Sequence, residues 1–264
     1  DMSKLTLSYE IQGPEDAPVI VMGSSLGSDR HMWDEVVPEL SNYRIMRYDF
    51  PGHGQSPADA IEGSVTPAML GDAILDAVDK EGIDKFHLAG LSLGGMMSLW
   101  MAINRPDRIL SFVMICSGPA LVPSSNWTDR AETVRNNGTE TLVEGTLERW
   151  FTAPFLAENG PGVQRTRQTF IDCNDEGYAQ CCEIISNMDN RNDLEEVQVP
   201  MGIIHAEFDG TLPHDDAMEL AEAVRAGGNV DVDTYFVTDA AHLAAVEQPM
   251  QVSEALRRHL EKYA

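Results

Sequence analysis

The feature that most constrains this chain is the pentapeptide Gly90-Leu91-Ser92-Leu93-Gly94, set between an apolar run at residues 86–89 and a helix-like run at residues 95–103. A strand that turns into a helix within one residue forces that residue into a strained backbone conformation, and glycines on either side supply space where a side chain would collide. In a strand and helix context, G-x-S-x-G predicts a nucleophile elbow, with the Ser92 hydroxyl standing alone above a sheet.

A serine hydroxyl needs a base at neutral pH, and the base needs a group to orient it. Of the seven histidines, His242 follows the strand-like run 232–237 and precedes a helical run at 249–263. It therefore falls in a loop at the carboxyl end of a strand, on the same sheet edge as Ser92. The acid is expected at the end of the preceding strand, 201–206, where Glu207-Phe208-Asp209-Gly210 forms a turn. Asp209 is preferred over Glu207, Asp215 and Asp216, because Gly210 permits the turn and the last two read as helix caps before Ala217. His87 and His205 lie inside strands and read as core or sheet-face residues, His31, His214 and His259 as loop or helix-surface residues. His53, in a tight turn after a strand, reads as a structural hydrogen-bonding group. A tetrahedral intermediate also needs two backbone donors. The Leu93 amide is one, and Gly23-Ser24-Ser25-Leu26-Gly27, after an early strand, offers the Leu26 amide, with Ser25 as the neighbour that shares its task.

Strand-like and helix-like runs alternate up to Ala120, which predicts an α/β fold: a mostly parallel twisted sheet with helices on both faces. Strands are expected at 5–11, 18–22, 44–48, 86–89, 109–116, 201–206 and 232–237, the first two joined as a hairpin through Gly13-Pro14-Glu15-Asp16. Residues 121–199 contain helical runs and no convincing strand, so a single domain is expected, with a core of 1–120 and 200–264 and a helical cap inserted at 121–199. Substrate choice should lie in that cap. Trp127 and Arg130 are three apart and share a helix face, and an indole with a guanidinium suits a flat ligand carrying a carboxylate. Arg135, Arg149 and Trp150 are held in reserve, and Met96, Met97 and Met101 read as core.

The chain has 264 residues, 43% of them hydrophobic, and can bury a large core. No run approaches the ~20 apolar residues that cross a bilayer. Residues 1–4 lack the features of a signal peptide. Cys116, Cys173, Cys181 and Cys182 have no metal spacing and read as reduced thiols in a cytoplasmic enzyme, with Cys181 and Cys182 facing opposite ways on a helix, one packed and one near the surface. A net charge of −25 argues against nucleic acid and anionic membranes as partners and leaves a homo-oligomer open. No metal and no cofactor are expected.

The chain resembles the α/β-hydrolase superfamily along almost its whole length, and within it the 3-oxoadipate enol-lactone hydrolases of aromatic catabolism. The resemblance is carried by Ser25-Leu26-Gly27 with His31-Met32-Trp33, Tyr48-Asp49 with Gly52-His53-Gly54, the elbow Gly90 to Gly95, Arg149-Trp150-Phe151-Thr152, the segment Gly177 to Cys182, and Ala241-His242-Leu243 with Glu247-Gln248-Pro249. The order Ser92, Asp209, His242 is that of the superfamily. Two departures stand out: Ser24 replaces a usual Asn, and Pro51 replaces a usual Arg. The resemblance implies a cap placed after the sixth strand, and hydrolysis of a small lactone through an acyl-enzyme, most directly 3-oxoadipate enol-lactone. The alternative is a carboxylesterase for short neutral esters.

Overall fold

The computed structural model describes residues 4–58 and 65–264. Its sheet consists of β1 (Tyr9–Gln12), β2 (Val19–Gly23), β3 (Arg44–Tyr48), β4 (Phe86–Leu91), β5 (Ile109–Ile115), β6 (Met201–Ala206) and β7 (Val232–Val237). Their spatial order is β1-β3-β2-β4-β5-β6-β7. Every pairing is parallel except β1 with β3. The central strands β2, β4 and β6 are buried at every residue. Such continuous apolar strands need cover on both faces, which helices supply.

The expected β1–β2 hairpin does not form. β1 instead pairs antiparallel with β3, Tyr9 opposite Tyr48 and Gln12 opposite Ile45. The burial patterns give the reason: β1 alternates between half-buried and exposed, as suits an edge, whereas β2 requires a neighbour on each side. Leu5 and Leu7 are buried but lie outside the ladder, so the edge strand starts four residues later than expected.

On the sheet pack α2 (Leu93–Asn104), α8 (His214–Arg225) and α10 (Pro249–Lys262), with α1 (Pro67–Lys80) against α2 and the one-turn α9 (Ala244–Glu247) against α10. Thr66 caps α1, its hydroxyl accepting from the Met69 N–H at 3.2 Å, and Pro67 occupies the first turn, where its missing donor costs nothing. Leu70, Ile74, Ala77 and Val78 then bury one helical face. Met96, Met97 and Met101 of α2 are all fully buried.

The insertion between β5 and β6 carries α3 (Ser125–Asn137), α4 (Val143–Trp150), α5 (Ala153–Glu158), α6 (Pro161–Asp172) and α7 (Asp175–Asn187). It follows the fifth described strand, one earlier than the resemblance implied, because this sheet has seven described strands. Its neck is closed by a bridge between Ala120 and Asp189 and by the Asn190 N–H donating to the Pro119 carbonyl at 2.9 Å. Inside the cap α3 packs along α7. Two surface expectations fail here and on α10. Cys181 and Cys182 are both fully buried, since α7 is covered around most of its circumference, and His259 is buried against the sheet, with its Nε2 2.9 Å from the Ser111 hydroxyl. No described helix is long and apolar enough to cross a membrane.

Candidate active site

Ser92 occupies the single residue between β4 and α2, with φ 56° and ψ −113°. That is a left-handed conformation which an L residue holds only when its surroundings impose it, at a cost of about 1–3 kcal/mol. Three hydrogen bonds impose it. The Ser92 N–H donates to the Ile115 carbonyl at 2.9 Å, and the Ser92 carbonyl accepts from the Met96 N–H at 2.9 Å and from the Ser117 hydroxyl at 2.7 Å. The flanking glycines are required by close approach: a Cβ on Gly90 would lie 2.1 Å from the Gly94 carbonyl carbon, and one on Gly94 would lie 2.3 Å from the Gly23 carbonyl oxygen. The Gly94 N–H also donates to the Ser24 carbonyl at 3.1 Å, stitching the elbow to the loop that carries Ser25 and Leu26.

Asp209 lies in the turn after β6 and His242 in the loop after β7. His242 Nδ1 lies 2.8 Å from Asp209 Oδ1. The carboxylate also accepts from the Thr211 and Leu212 N–H groups, each at 3.0 Å. Burial alone would raise the Asp209 pKa, but the adjacent imidazole and these two amides outweigh it and hold the carboxyl below its ordinary value. An ionised acceptor at Nδ1 fixes the tautomer that leaves Nε2 free to take a proton. Glu207 is spent elsewhere, accepting from the Asp239 N–H at 3.0 Å, and Asp215 and Asp216 lie in the first turn of α8. Ser92 and His242 line one cavity, and no hydrogen bond joins their side chains in this resting arrangement, a looseness common without substrate.

Among the described residues the Leu26 and Leu93 amides have no protein acceptor; Leu93 follows Ser92 in the chain, and Leu26 lines the same cavity as Ser92. The Ser24 and Ser25 hydroxyls are buried without partners. The loop is held by His53, whose Nε2 accepts from the Gly27 N–H at 2.9 Å while Nδ1 faces the Pro51 carbonyl at 2.9 Å. Only the tautomer protonated on Nδ1 satisfies both contacts. Burial pushes the His53 pKa down to about 4, so the ring is neutral at pH 7 and can accept.

The cavity has a volume of about 1190 Å³ and is lined by Ser25, Leu26, Ser92, Trp127, Arg130, Arg149, Trp150, Tyr178, Asp209 and His242, among others. The cap thus supplies Trp127 and Arg130 together, the guanidinium 4.9 Å from the indole centroid. Trp127 is braced by its Nε1–H donating to the Leu121 carbonyl at 3.1 Å. Of the reserves, Arg149 and Trp150 line the cavity, but Arg135 does not. It lies on the outer face of the cap, paired with Glu176 and Glu183. Arg130 and Arg149, alone with Arg258 among the arginines, have no carboxylate within ion-pair distance among the described residues. Burial and then the Arg130 charge push the Arg149 pKa below its ordinary value. Sequence reasoning missed Tyr178 as a cavity residue. Burial raises its pKa, and the neighbouring Arg130 opposes the shift. The signal was present in the narrow Gly177 to Cys182 segment, but a tyrosine on a helix does not declare which side it faces.

A family described as alpha/beta hydrolase fold matches residues 18–249. The chain is 37% identical over 245 residues to 3-oxoadipate enol-lactonase 1 of Acinetobacter baylyi, covering 92% of this chain and 89% of that protein. It is 26% identical to 3-oxoadipate enol-lactonase 2 of the same organism, covering 98% and 94%. Among solved structures, the enol-lactonase from Burkholderia xenovorans LB400 is similar with a TM-score of 0.88 at 31% identity, over 97% of this chain and 96% of that one. With the family matched over residues 18–249 and a relative 37% identical over 92% of its length, this chain belongs to the α/β-hydrolase fold family.

Proposed function

We propose that this chain is a serine hydrolase that opens 3-oxoadipate enol-lactone to 3-oxoadipate, within one domain whose core is 1–120 and 200–264 and whose cap is 121–199. One observation carries the substrate class. In a chain with 43 acidic residues against 18 basic ones, Arg130 and Arg149 line the same cavity as Ser92 and His242 and remain free of carboxylates among the described residues. Arg130 is half-buried, and Arg149 is exposed with its guanidinium donating to the Gly145 carbonyl and the Thr146 hydroxyl; a guanidinium without a carboxylate beside such a cavity suits an anionic ligand, and a carboxylate losing its hydration there needs directed donors. The enol-lactonase relatives act on a ring of that kind by name.

In the reaction, His242 takes the Ser92 proton as Oγ attacks the lactone carbonyl, and the Leu26 and Leu93 amides, with Ser25 beside them, hold the oxyanion. Collapse breaks the ring C–O bond and releases an enolate, which takes the proton held by His242 and becomes a ketone, leaving the imidazole neutral. His242 then removes a proton from water, hydroxide attacks the acyl-enzyme carbonyl, and the product leaves as Ser92 recovers its proton. Asp209 holds the imidazole and stabilises its charge throughout. Trp127 offers a flat face to the ring.

Rates on the muconolactone-derived enol-lactone and on a neutral acyl ester of similar size test the proposal. The lactone should have the higher kcat/KM by at least about 10-fold, the lower end of what one charge-assisted hydrogen bond contributes. A wide preference for the neutral ester rejects it in favour of a general carboxylesterase.

A further inference from the structure

Glu247 ends α9, five residues beyond His242, and is 7% exposed. Among the described residues no cation lies within ion-pair distance of it. A carboxylate removed from water without a counterion is costly unless several donors replace its hydration. Glu247 has three. Its Oε1 accepts from the Ala241 N–H at 3.1 Å, its two oxygens accept from the Thr152 N–H at 3.2 and 3.3 Å, and Oε2 also accepts from the Thr152 hydroxyl.

These donors come from two places that the function must keep in register. Ala241 immediately precedes His242, whereas Thr152 lies at the corner between α4 and α5 of the cap. On the other side of the histidine, the Leu243 N–H donates to the Trp150 carbonyl at 2.9 Å, and the Trp150 and His242 rings are 6.5 Å apart. Both neighbours of His242 are thus tied to the same cap corner. Asp209 fixes Nδ1, and the Phe208 N–H donating to the Ala240 carbonyl and the Asp239 N–H donating to Glu207 hold the start of the loop, whereas the cap ties act on the two residues that flank His242. One of these ties runs entirely through Glu247.

We infer that Glu247 is a positioning residue that locks the His242 loop to the Trp150–Thr152 corner, so that the seating of the cap sets the placement of the imidazole over Ser92. The inference rests on His242 as the base. The cap that selects substrate and the loop that moves the proton then behave as one body, and a substrate that seats the cap poorly also loses proton transfer.

The test compares Glu247→Ala, Glu247→Gln, Thr152→Val and the Glu247→Ala/Thr152→Val double variant. It reads kcat and KM on p-nitrophenyl acetate, thermal unfolding, and the downfield proton resonance of the His242–Asp209 hydrogen bond. Misplacing a reacting group by ~1 Å costs about 100-fold, so Glu247→Ala should lower kcat by about 30- to 100-fold with KM within about threefold, and should shift or broaden the resonance. Glu247→Gln keeps an acceptor and should recover to within about tenfold of wild type. Thr152→Val should lower kcat about threefold alone but add almost nothing to Glu247→Ala, since both cut the same tie. A folded Glu247→Ala with unchanged kcat and resonance and a lowered unfolding temperature makes Glu247 a brace and overturns the inference, as does full additivity with Thr152→Val. Should Glu247→Ala fail to fold, the Glu247→Gln and Thr152→Val effects decide on the same readouts. His242→Ala separates the two failures: if it stays active the base is misassigned, whereas an inactive His242→Ala beside a fully active Glu247→Ala removes only the role of Glu247.

Discussion

At the scale of single residues, the strain at Ser92 and the carboxylate against His242 Nδ1 make sharp demands on substitution. Ser92→Ala or His242→Ala should lower kcat by about 10⁴-fold or more with the fold retained, and Asp209→Asn by about 10³- to 10⁴-fold. Near-normal kcat in Asp209→Asn would assign the acid elsewhere. The His53 contact makes a finer demand. His53→Leu removes the acceptor for the Gly27 N–H and loosens the loop bearing the Leu26 amide, so kcat should fall toward the ~100-fold loss that follows removal of one oxyanion donor. His53→Gln, whose amide oxygen can accept that hydrogen bond, should lose less. Equal kcat in both variants would detach His53 from catalysis. The three candidate residues were legible in the sequence because each stands beside its own local signal: two glycines around Ser92, Gly210 after Asp209, a strand end before His242. The structural role given to His53 was legible as well, but its partner was not, since Gly27 is 26 residues away and only the fold brings the two together. Glu247 was visible solely as part of the Glu247-Gln248-Pro249 motif. Its isolation from cations is a tertiary fact.

At the scale of elements, the strands were legible wherever an apolar run filled the interior of the sheet, because β2, β4 and β6 are buried along their whole length and their composition shows it. The edge was not. A four-residue strand with alternate exposure fits either neighbour, and only the two-sided need of β2 decides that β1 lies beside β3. In the cap, helix existence was readable from spacing, but the orientation of each helix was not, which is why Arg135 entered the reserves and one of Cys181 and Cys182 was given a surface. The same orientation divides the cap arginines into two groups with opposite expected behaviour. Arg130→Ala and Arg149→Ala should each lower kcat/KM for the enol-lactone by about 10- to 150-fold, the range of a charge-assisted hydrogen bond, and should leave p-nitrophenyl acetate nearly unchanged. Arg135→Ala breaks two surface ion pairs, to Glu176 and Glu183, and should change stability by about 1 kcal/mol with no effect on either substrate. Equal losses on both substrates in Arg130→Ala would make that residue a cap support through its contact with Trp127.

At the scale of the whole molecule, a net charge of −25 surrounds an interior in which five histidines are buried, three of them shifted far enough to matter for stability. Burial pushes the pKa values of His53, His87 and His259 each down to about 4. His87 and His259 also face one another across a single hydroxyl, at 2.6 and 2.9 Å from Ser111 Oγ. Together they make the fold acid-sensitive in a definite window. The folded rings stay neutral down to about pH 4, while those of the unfolded chain protonate from about 6.5 downward. Between these values the unfolded state binds protons that the folded state refuses, so stability is intact above about 6.5, declines as the pH falls toward 4, and flattens below it. With all three rings taking part the slope approaches ~4 kcal/mol per pH unit. Protonation of surface carboxylates works in the opposite direction by relieving self-repulsion, but that relief is screened at high ionic strength, where the Debye length is ~3 Å at 1 M. Urea unfolding at 1 M sodium chloride should therefore show the decline plainly, and His53→Gln should remove about one proton from its slope. A stability that is flat from pH 6.5 to 4 under those conditions would mean that the interior accommodates imidazolium, contrary to the burial of all three rings.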